Sequence, residues 1–319
     1  MEKQVTVLGA KGRFGQEAID AFLNAGWKVR GFARSWPEHA APSGVETLTG
    51  SALDANAVTR ACQGSHVIVN ALNPPYPAWK RDLPRFTRAV IAAAKATGAR
   101  VIIPGNVYNY GAGMPETLLE STPHRPTARK GRLREEMEES YTRAADEGVR
   151  TLVLRSGDFY GPASVGNWLE TYLTPKLSQA KVTYPGPHDR IRAWAYLPDM
   201  TRAMAALADC DEQLADFERV NFPGHNFTGA QLIAALEAIS GCELSVSRFP
   251  WPLLRLMSPV WPLVRETLEM RYLWDTPHRV ASERFDHLLP SFAHTPLETA
   301  LARSVADRLP GQARGAVAA

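Results

Sequence analysis

A run of three evenly spaced glycines constrains this chain more than any other feature. Gly9, Gly12 and Gly15 follow directly on a short β-branched run, and the apolar periodicity after them predicts a helix over 14–25. In a strand–turn–helix unit, glycines let the backbone approach a pyrophosphate at the helix N-terminus, where N–H groups and the helix dipole favour anions. The turn therefore predicts dinucleotide binding, with contacts from the neighbouring residues Lys11, Arg13 and Phe14.

Strand-like and helix-like runs alternate through the first half of the chain. Strands are predicted at 5–8, 28–32, 45–48, 66–70, 100–103 and 151–155. Helices are predicted between them at 14–25, 55–62, 83–97 and 128–145, and further on at 199–208 and 229–240. Such alternation is typical of the α/β class, with a doubly wound parallel sheet covered by helices on both faces.

Charge and cysteine usage narrow the classes of partner. The net charge of +3 arises from well-mixed basic and acidic residues, which argues against a nucleic acid or a membrane surface as partner. The three cysteines lie far apart without metal-ligand spacing, so no metal site is expected. Their odd number suits a protein in a reducing compartment. No signal-like run precedes the first strand, which predicts a cytoplasmic protein.

One stretch, 249–264, is strongly apolar. Four prolines and Arg255 interrupt it, and it is too short to span a bilayer. Two interpretations stay open: a pair of buried helical turns, or an apolar flap that covers a substrate.

The residues after the second strand indicate which nicotinamide cofactor is bound. NAD-binding folds place an acid there to bind the ribose hydroxyls, but here Ala33 is followed by Arg34, and no acid appears before Glu38. Because a guanidinium suits a 2′-phosphate, NADP(H) is predicted over NAD(H). Further cofactor contacts are predicted from Ser51 near the adenine and from the residues that leave the fourth strand, Asn70, Ala71 and Leu72.

Three later segments resemble the extended short-chain dehydrogenases/reductases, the NAD-dependent epimerase/dehydratase-like group. The three segments are 154–162, 192–203 and 221–224. The first of them contains an arginine and ends in Gly-Pro. The resemblance implies a Rossmann domain of residues 1–165 with 190–222 returning to it. It also implies a smaller, interleaved C-terminal substrate lobe of residues 166–189 and 223–319. Substrate contacts are predicted from Asp158, Tyr160, Trp168 and Arg192.

The catalytic Tyr-x-x-x-Lys pair of that group is absent. Alignment places Lys130 at the tyrosine and Arg134 at the lysine, with Asn106 near the usual serine. The helix pattern Lys130-x-x-Leu-Arg134, and the strand end that contains Pro104, are instead similar to isoflavone-reductase-like members. That resemblance implies Lys130 as the acid/base beside NADPH, with Pro104 and Arg134 at the cofactor.

Other interpretations of these residues stay open. The sequence around Lys130 is equally consistent with a solvent-exposed helix that contains internal ion pairs. Tyr108 or Tyr110, which follow the fifth strand, could supply the missing phenol.

The favoured hypothesis is an NADPH-dependent oxidoreductase that reduces a small carbonyl or conjugated substrate, of apolar character, in a protein that forms homodimers. Two alternatives remain: a nucleotide-sugar epimerase or dehydratase, and a non-catalytic protein that senses NADP.

Overall fold

The computed structural model describes residues 2–36, 42–162 and 166–310. Its strands are β1 (Gln4–Leu8), β2 (Lys28–Ala33), β3 (Val45–Thr49), β4 (Val67–Asn70), β5 (Arg100–Gly105), β6 (Thr117–Leu118), β7 (Thr151–Arg155), β8 (Asp158–Tyr160), β9 (Lys181–Tyr184), β10 (Ile191–Tyr196), β11 (Phe217–Asn221), β12 (His225–Thr228), β13 (Ser245–Arg248) and β14 (Arg279–Val280). Its α-helices are α1 (Arg13–Asn24), α2 (Ala55–Cys62), α3 (Trp79–Thr97), α4 (Arg129–Ala145), α5 (Leu197–Asp209), α6 (Gly229–Ser240), α7 (Trp251–Met257), α8 (Pro262–Glu269), α9 (Tyr272–Asp275), α10 (Glu283–Leu288) and α11 (Leu297–Val305).

A seven-stranded parallel sheet in the order β11-β7-β5-β4-β1-β2-β3 forms the centre of the molecule. Helices α1 and α5 pack on one face, and α2, α3 and α4 on the other. The inner strands are buried along nearly their whole length and most of their side chains are apolar, as expected for parallel strands covered on both faces. The predicted α/β class with a Rossmann-type, doubly wound sheet is confirmed.

The predicted elements are present with small shifts of boundary. The largest shift is at α3, which begins at Trp79 rather than at residue 83, because a 3-10 turn at Tyr76–Ala78 leads into it. Pro84 lies inside this helix, although proline is disfavoured there because it removes a backbone hydrogen bond.

The second half of the chain forms smaller sheets beside the central one. Strands β12, β10 and β8 make a three-stranded sheet, while β13 pairs with β9 and β14 with β6. A third apolar core, rich in aromatic side chains, fills this region and is separate from the two cores of the central sheet. The chain returns to the central sheet through α5 and β11. The proposed domain boundaries remain a prediction.

The apolar stretch 249–264 forms helical turns, but the interpretation that they are buried is wrong. Helices α7 and α8 and the segment that joins them leave Leu253, Leu256, Val260, Trp261 and Leu263 between 48% and 86% exposed. Only one side of the helix pair packs on the protein, where Trp251 and Val264 are buried. No helix within the described ranges is both long and apolar enough to cross a bilayer.

Candidate functional site

The glycine turn between β1 and α1 forms a narrow backbone cradle. Gly9 has a φ of +80°, and a Cβ atom there would lie 2.8 Å from the carbonyl oxygen of Ala71. A Cβ atom on Gly15 would collide with the carbonyl oxygen of Gly9. No side chain caps α1 at Gly12, and its first turn contains no acid. The uncapped N–H groups and the helix dipole therefore suit an anionic group.

A cavity of about 720 Å³ opens in front of this turn, at the carboxyl ends of β1, β2, β3 and β4. The crevice lies where the strand order reverses between β1 and β4, which is the usual ligand position in doubly wound sheets. Seven predicted cofactor residues line it: Gly9, Lys11, Gly12, Arg34, Ser51, Ala71 and Leu72.

Cationic side chains outnumber acids in the cavity lining. Lys11, Arg34 and Arg81 are the cations, and Asp82 is the one acid among the lining residues that the structure describes. Asp82 already forms an ion pair with Arg81, whose Nε atom donates to the Asp82 Oδ1 atom at 2.7 Å. The uncompensated positive charge favours a ligand with several phosphates.

The remaining predicted residues of the turn and of β4 make other contacts. The Asn70 Nδ2 group donates to the Tyr141 hydroxyl at 3.1 Å, and the Asn70 Oδ1 atom accepts from the Leu72 N–H at 3.3 Å. Asn70 thus holds the loop that contains Ala71 and Leu72. Phe14 packs on Phe159, with ring centroids 5.6 Å apart. Arg13 begins α1, and its Nη1 atom is buried without a hydrogen-bond partner in the part of the chain that the structure describes.

Lys130 is buried in an ion cluster rather than solvated. Its side chain is 1% exposed and forms ion pairs with Glu266 and Glu269 of α8. The ammonium donates to Glu269 Oε2 at 2.7 Å and to the Glu266 carbonyl oxygen at 3.1 Å. The backbone N–H of Lys130 also donates to Glu269, at 2.9 Å. An ammonium has three N–H donors, so these acceptors leave little capacity for a substrate.

Tyr108 is placed beside the same helix end. Gly131 allows this, because a Cβ atom on it would collide with the carbonyl oxygen of Tyr108. The Tyr108 hydroxyl lies 3.4 Å from the Tyr76 hydroxyl, and the Lys130 Nζ atom lies 4.7 Å from the centroid of the Tyr76 ring. Burial raises the pKa of both phenols, that of Tyr108 most strongly, so both hydroxyls carry their protons.

Arg134 completes this cluster. Its guanidinium lies 4.7 Å from the centroid of the Trp79 ring and interacts electrostatically with the Tyr76 and Tyr108 hydroxyls. Its Nε atom is buried and has no hydrogen-bond partner among the residues described. A buried donor without an acceptor is costly, so a hydrogen-bond acceptor at this position would stabilise the cluster.

A second buried ion network supports the loop after β5. Glu138 of α4 accepts from Arg155 Nη2 at 2.7 and 2.6 Å and from Asn109 Nδ2 at 2.9 Å. Arg219 Nε donates to the same carboxylate at 3.1 Å. Burial opposes the ionisation of Glu138, but the charge and hydrogen bonds of Arg155 outweigh it and lower the pKa of the carboxyl.

This network supports the turn after β5, which carries the predicted catalytic residues Asn106, Tyr108 and Tyr110. Arg155 Nη1 donates to the Asn106 carbonyl oxygen at 2.5 Å, while Asn106 Oδ1 accepts from the Tyr108 N–H at 3.0 Å. Tyr110 packs against the Arg155 guanidinium and the ring of His124. Asn106 thus caps the turn that carries Tyr108, whereas Tyr110 belongs to the supporting network. Pro104 lies in β5 just before this turn.

The predicted substrate residues lie in or against the aromatic third core, and Asp158 also interacts electrostatically with Tyr108. Asp158 forms an ion pair with Arg192, whose guanidinium stacks 3.5 Å from the centroid of the Trp274 ring. Burial raises the pKa of Asp158, although Arg192 opposes the shift. Trp168 packs on Trp274, with ring centroids 5.0 Å apart. The Tyr160 hydroxyl lies 2.6 Å from His225 Nδ1 and is tied into the core.

Sequence reasoning missed Tyr76, Glu266 and Glu269. Tyr76 begins a short 3-10 turn without apolar periodicity, so no local pattern marks it. The two glutamates are three residues apart and therefore share one face of α8, but nothing in the sequence connects that face with Lys130. Across the three described ranges, no cluster of three His, Cys, Asp or Glu side chains could hold a metal ion.

The sheet order and the glycine cradle together define a Rossmann-type α/β protein. Residues 5–221 match the family model of the NAD dependent epimerase/dehydratase family. The chain belongs to this family.

Solved structures with the same fold have low sequence identity to this chain. A proposed epimerase from Burkholderia cenocepacia J2315 is 19% identical with a TM-score of 0.78, and the match covers 98% of this chain and 99% of that one. The UDP-glucose 4-epimerase of Thermotoga maritima, solved with UDP-glucose, is 17% identical with a TM-score of 0.74 over 95% and 97%. The dTDP-glucose 4,6-dehydratase of Bacillus anthracis, solved with NAD, is 14% identical with a TM-score of 0.74 over 95% and 96%. Comparison with curated protein sequences gives no significant match.

Proposed function

We propose that this protein is an NADP(H)-dependent oxidoreductase that reduces a small carbonyl or conjugated substrate, with Tyr108 as the proton donor. The observation that carries the proposal is the buried cluster of Tyr76, Tyr108 and Arg134, in which both phenols are protonated and an arginine N–H lacks an acceptor. A protonated phenol can donate a proton, as a reduction requires, but is poorly suited to abstract one.

The residues around the cavity fit a nicotinamide dinucleotide. The cradle at Gly9 and Gly15 has no room for side chains, and α1 directs uncapped N–H groups towards it, which suits a pyrophosphate. Arg34 stands at the end of β2, where an NAD-binding fold has an acid, so it is assigned to the 2′-phosphate of NADP. When bound, the reduced cofactor supplies a hydride.

In the proposed reaction, the Tyr108 O–H donates to the substrate oxygen as that oxygen becomes an alkoxide. The charge of Arg134 stabilises the resulting phenolate. Arg134 cannot lose its proton, so its free Nε–H is available to hold a cofactor ribose hydroxyl. Trp168 and the Asp158–Arg192 pair are proposed to shape an apolar substrate pocket beside Tyr108.

Arg34→Ala is expected to lower NADPH affinity by about 10- to 100-fold, because it removes a charge-assisted contact to the 2′-phosphate. NADH affinity should remain within about twofold, since NADH lacks that phosphate. Fluorescence titration of both cofactors measures the effect. Arg88→Ala, an exposed arginine of α3 away from the cavity, is the matched control. Equal affinity of the wild type for NADPH and NADH would contradict the assignment.

Lys130 is proposed to anchor α8 to the N-terminal end of α4 rather than to transfer protons. Lys130→Met leaves the buried Glu266 carboxylate short of a partner and is expected to lower the free energy of unfolding by about 1–3 kcal/mol. Turnover by the folded variant should stay within about tenfold of wild type. Urea unfolding and steady-state kinetics test this.

Lys95→Met, which breaks the exposed pair with Glu147, is the control and should cost about 0–1 kcal/mol. If Lys130→Met abolishes turnover without loss of stability, Lys130 is the proton donor, as the sequence predicted.

Family membership favours a second candidate, epimerase or dehydratase chemistry on a nucleotide sugar. The Thermotoga maritima structure contains UDP-glucose and the Bacillus anthracis structure contains NAD, in the same fold. That chemistry starts with removal of a proton from a sugar hydroxyl, for which the buried, protonated phenols are poorly suited. Conversion of UDP-glucose in the presence of NAD⁺ would support this candidate. NADPH oxidation with a panel of aldehydes, ketones and enones would support the reductase.

A further inference from the structure

We infer that the outer face of helices α7 and α8 is an interaction surface for an anionic lipid bilayer, which holds the protein at a membrane surface without spanning it. This inference is independent of the proposed reaction. It rests on the exposure, the charge and the position of residues 245–265.

Five large apolar side chains are concentrated at this one place. Leu253, Leu256, Val260, Trp261 and Leu263, here called the apolar patch, are 54%, 79%, 86%, 49% and 48% exposed. Elsewhere in the described parts of the chain, Leu53 and Leu119 are the only large apolar side chains classed as exposed, at 39% and 40%. Single exposed leucines are ordinary, but a contiguous apolar patch marks an interaction site.

Packing of the protein does not require this face. Helix α8 uses its inner side, with Val264, Glu266 and Thr267 buried, to hold the Lys130 cluster. Helix α7 packs through Trp251, whose Nε1 donates to the Pro185 carbonyl oxygen at 2.6 Å. The inner contacts attach both short helices to the protein and leave the outer face exposed.

The positive charge around the apolar patch favours an anionic partner. Residues 245–265 contain Arg248, Arg255 and Arg265 and no acid, so this segment has a net charge of +3. All three arginines are exposed, and none forms an ion pair within the described ranges. The even overall composition concealed this local asymmetry, which is why the sequence did not predict a membrane surface as partner.

A lipid surface fits these features better than a second copy of the chain. Two copies joined through the same patch would bring like charges together, which opposes an isologous dimer. Anionic headgroups attract the arginines, while leucine and valine enter the acyl boundary and an amphipathic tryptophan lies at the interface. The patch has the composition of a monotopic anchor.

Co-sedimentation with vesicles tests the inference on the full chain. The wild type is expected to bind vesicles of phosphatidylcholine with phosphatidylglycerol, to bind vesicles of phosphatidylcholine alone more weakly, and to lose binding as salt is added. The double variant Leu256→Glu, Val260→Glu should lower the partition coefficient by about tenfold or more. Arg255→Gln and Arg265→Gln should each lower it by about fivefold on anionic vesicles only.

Leu119→Glu is the matched control, since Leu119 is exposed but lies outside the patch, and it should bind as the wild type does. Circular dichroism and NADPH titration verify that each variant is folded. Failure of the wild type to sediment with anionic vesicles would overturn the inference. So would dimerisation that is lost in Leu256→Glu, Val260→Glu without any vesicle binding, because the patch would then serve a second copy.

Discussion

Tyr108→Phe is expected to lower kcat for carbonyl reduction by about 10²- to 10⁴-fold, the usual contribution of a positioned general acid. The variant removes one oxygen and leaves the packing of the ring intact, so stability and NADPH affinity should change little. Stopped-flow measurement of NADPH oxidation, together with cofactor titration, separates the loss of chemistry from a loss of binding.

Tyr110→Phe provides the matched control, because Tyr110 lies in the same turn but packs on Arg155 and His124. Its turnover should remain within about threefold of wild type, since it removes only a weak 3.5 Å hydrogen bond to the Leu119 carbonyl oxygen. If both variants retain full activity, neither phenol is the proton donor and the proposed reaction lacks its acid.

Glu138→Gln is expected to lower the free energy of unfolding by about 3–5 kcal/mol at neutral pH. The substitution keeps the side-chain volume but leaves the fully buried Arg155 without its counter-charge, and Arg219 loses the same partner. Urea unfolding measures the difference. Glu139→Gln, which affects only an exposed pair with Arg143, should change stability by about 0.5 kcal/mol or less.

The same contact predicts a pH dependence of stability. The pKa of Glu138 is lower in the folded than in the unfolded protein. The ion pair therefore stabilises the folded protein fully at pH values above the unfolded-state pKa. This stabilisation is lost as the pH falls through the folded-state pKa. The stability difference between wild type and Glu138→Gln should therefore be constant near neutral pH and shrink below about pH 4.5. A difference that stays constant into acid would show that Glu138 does not act through its charge.

The fold was predictable because its determinants are local. Gly9 needs a positive φ, and Gly15 lies against the Gly9 carbonyl, so the glycine spacing marks the turn before any tertiary contact is known. Helix α6 has a capping box formed by Thr228 and Gln231, which defines its start. Buried strands such as β7 have an apolar centre, Leu152 to Leu154, and this pattern is visible in the chain itself.

The candidate site was only partly predictable, for reasons that particular residues illustrate. Arg34 and Ser51 follow strands of the central sheet, and the carboxyl ends of parallel strands converge on one crevice, so their place in the cavity follows from order alone. Lys130 was correctly placed at the start of a helix, but its surroundings depend on α8, whose glutamates are more than a hundred residues away. No periodicity connects segments that far apart.

The amino-acid order by itself determined the strand–glycine–helix unit, the alternation that builds the parallel sheet, and the missing acid after β2. These features depend on backbone conformation and on the burial of neighbouring residues, which act over a few positions. Only the tertiary structure decided that Glu266 and Glu269 enclose Lys130, that Tyr108 meets Tyr76 and Arg134, and that α7 and α8 expose their apolar face. Those outcomes depend on which distant surfaces pack together, and the charge and hydrogen bonds of each side chain are set by that packing.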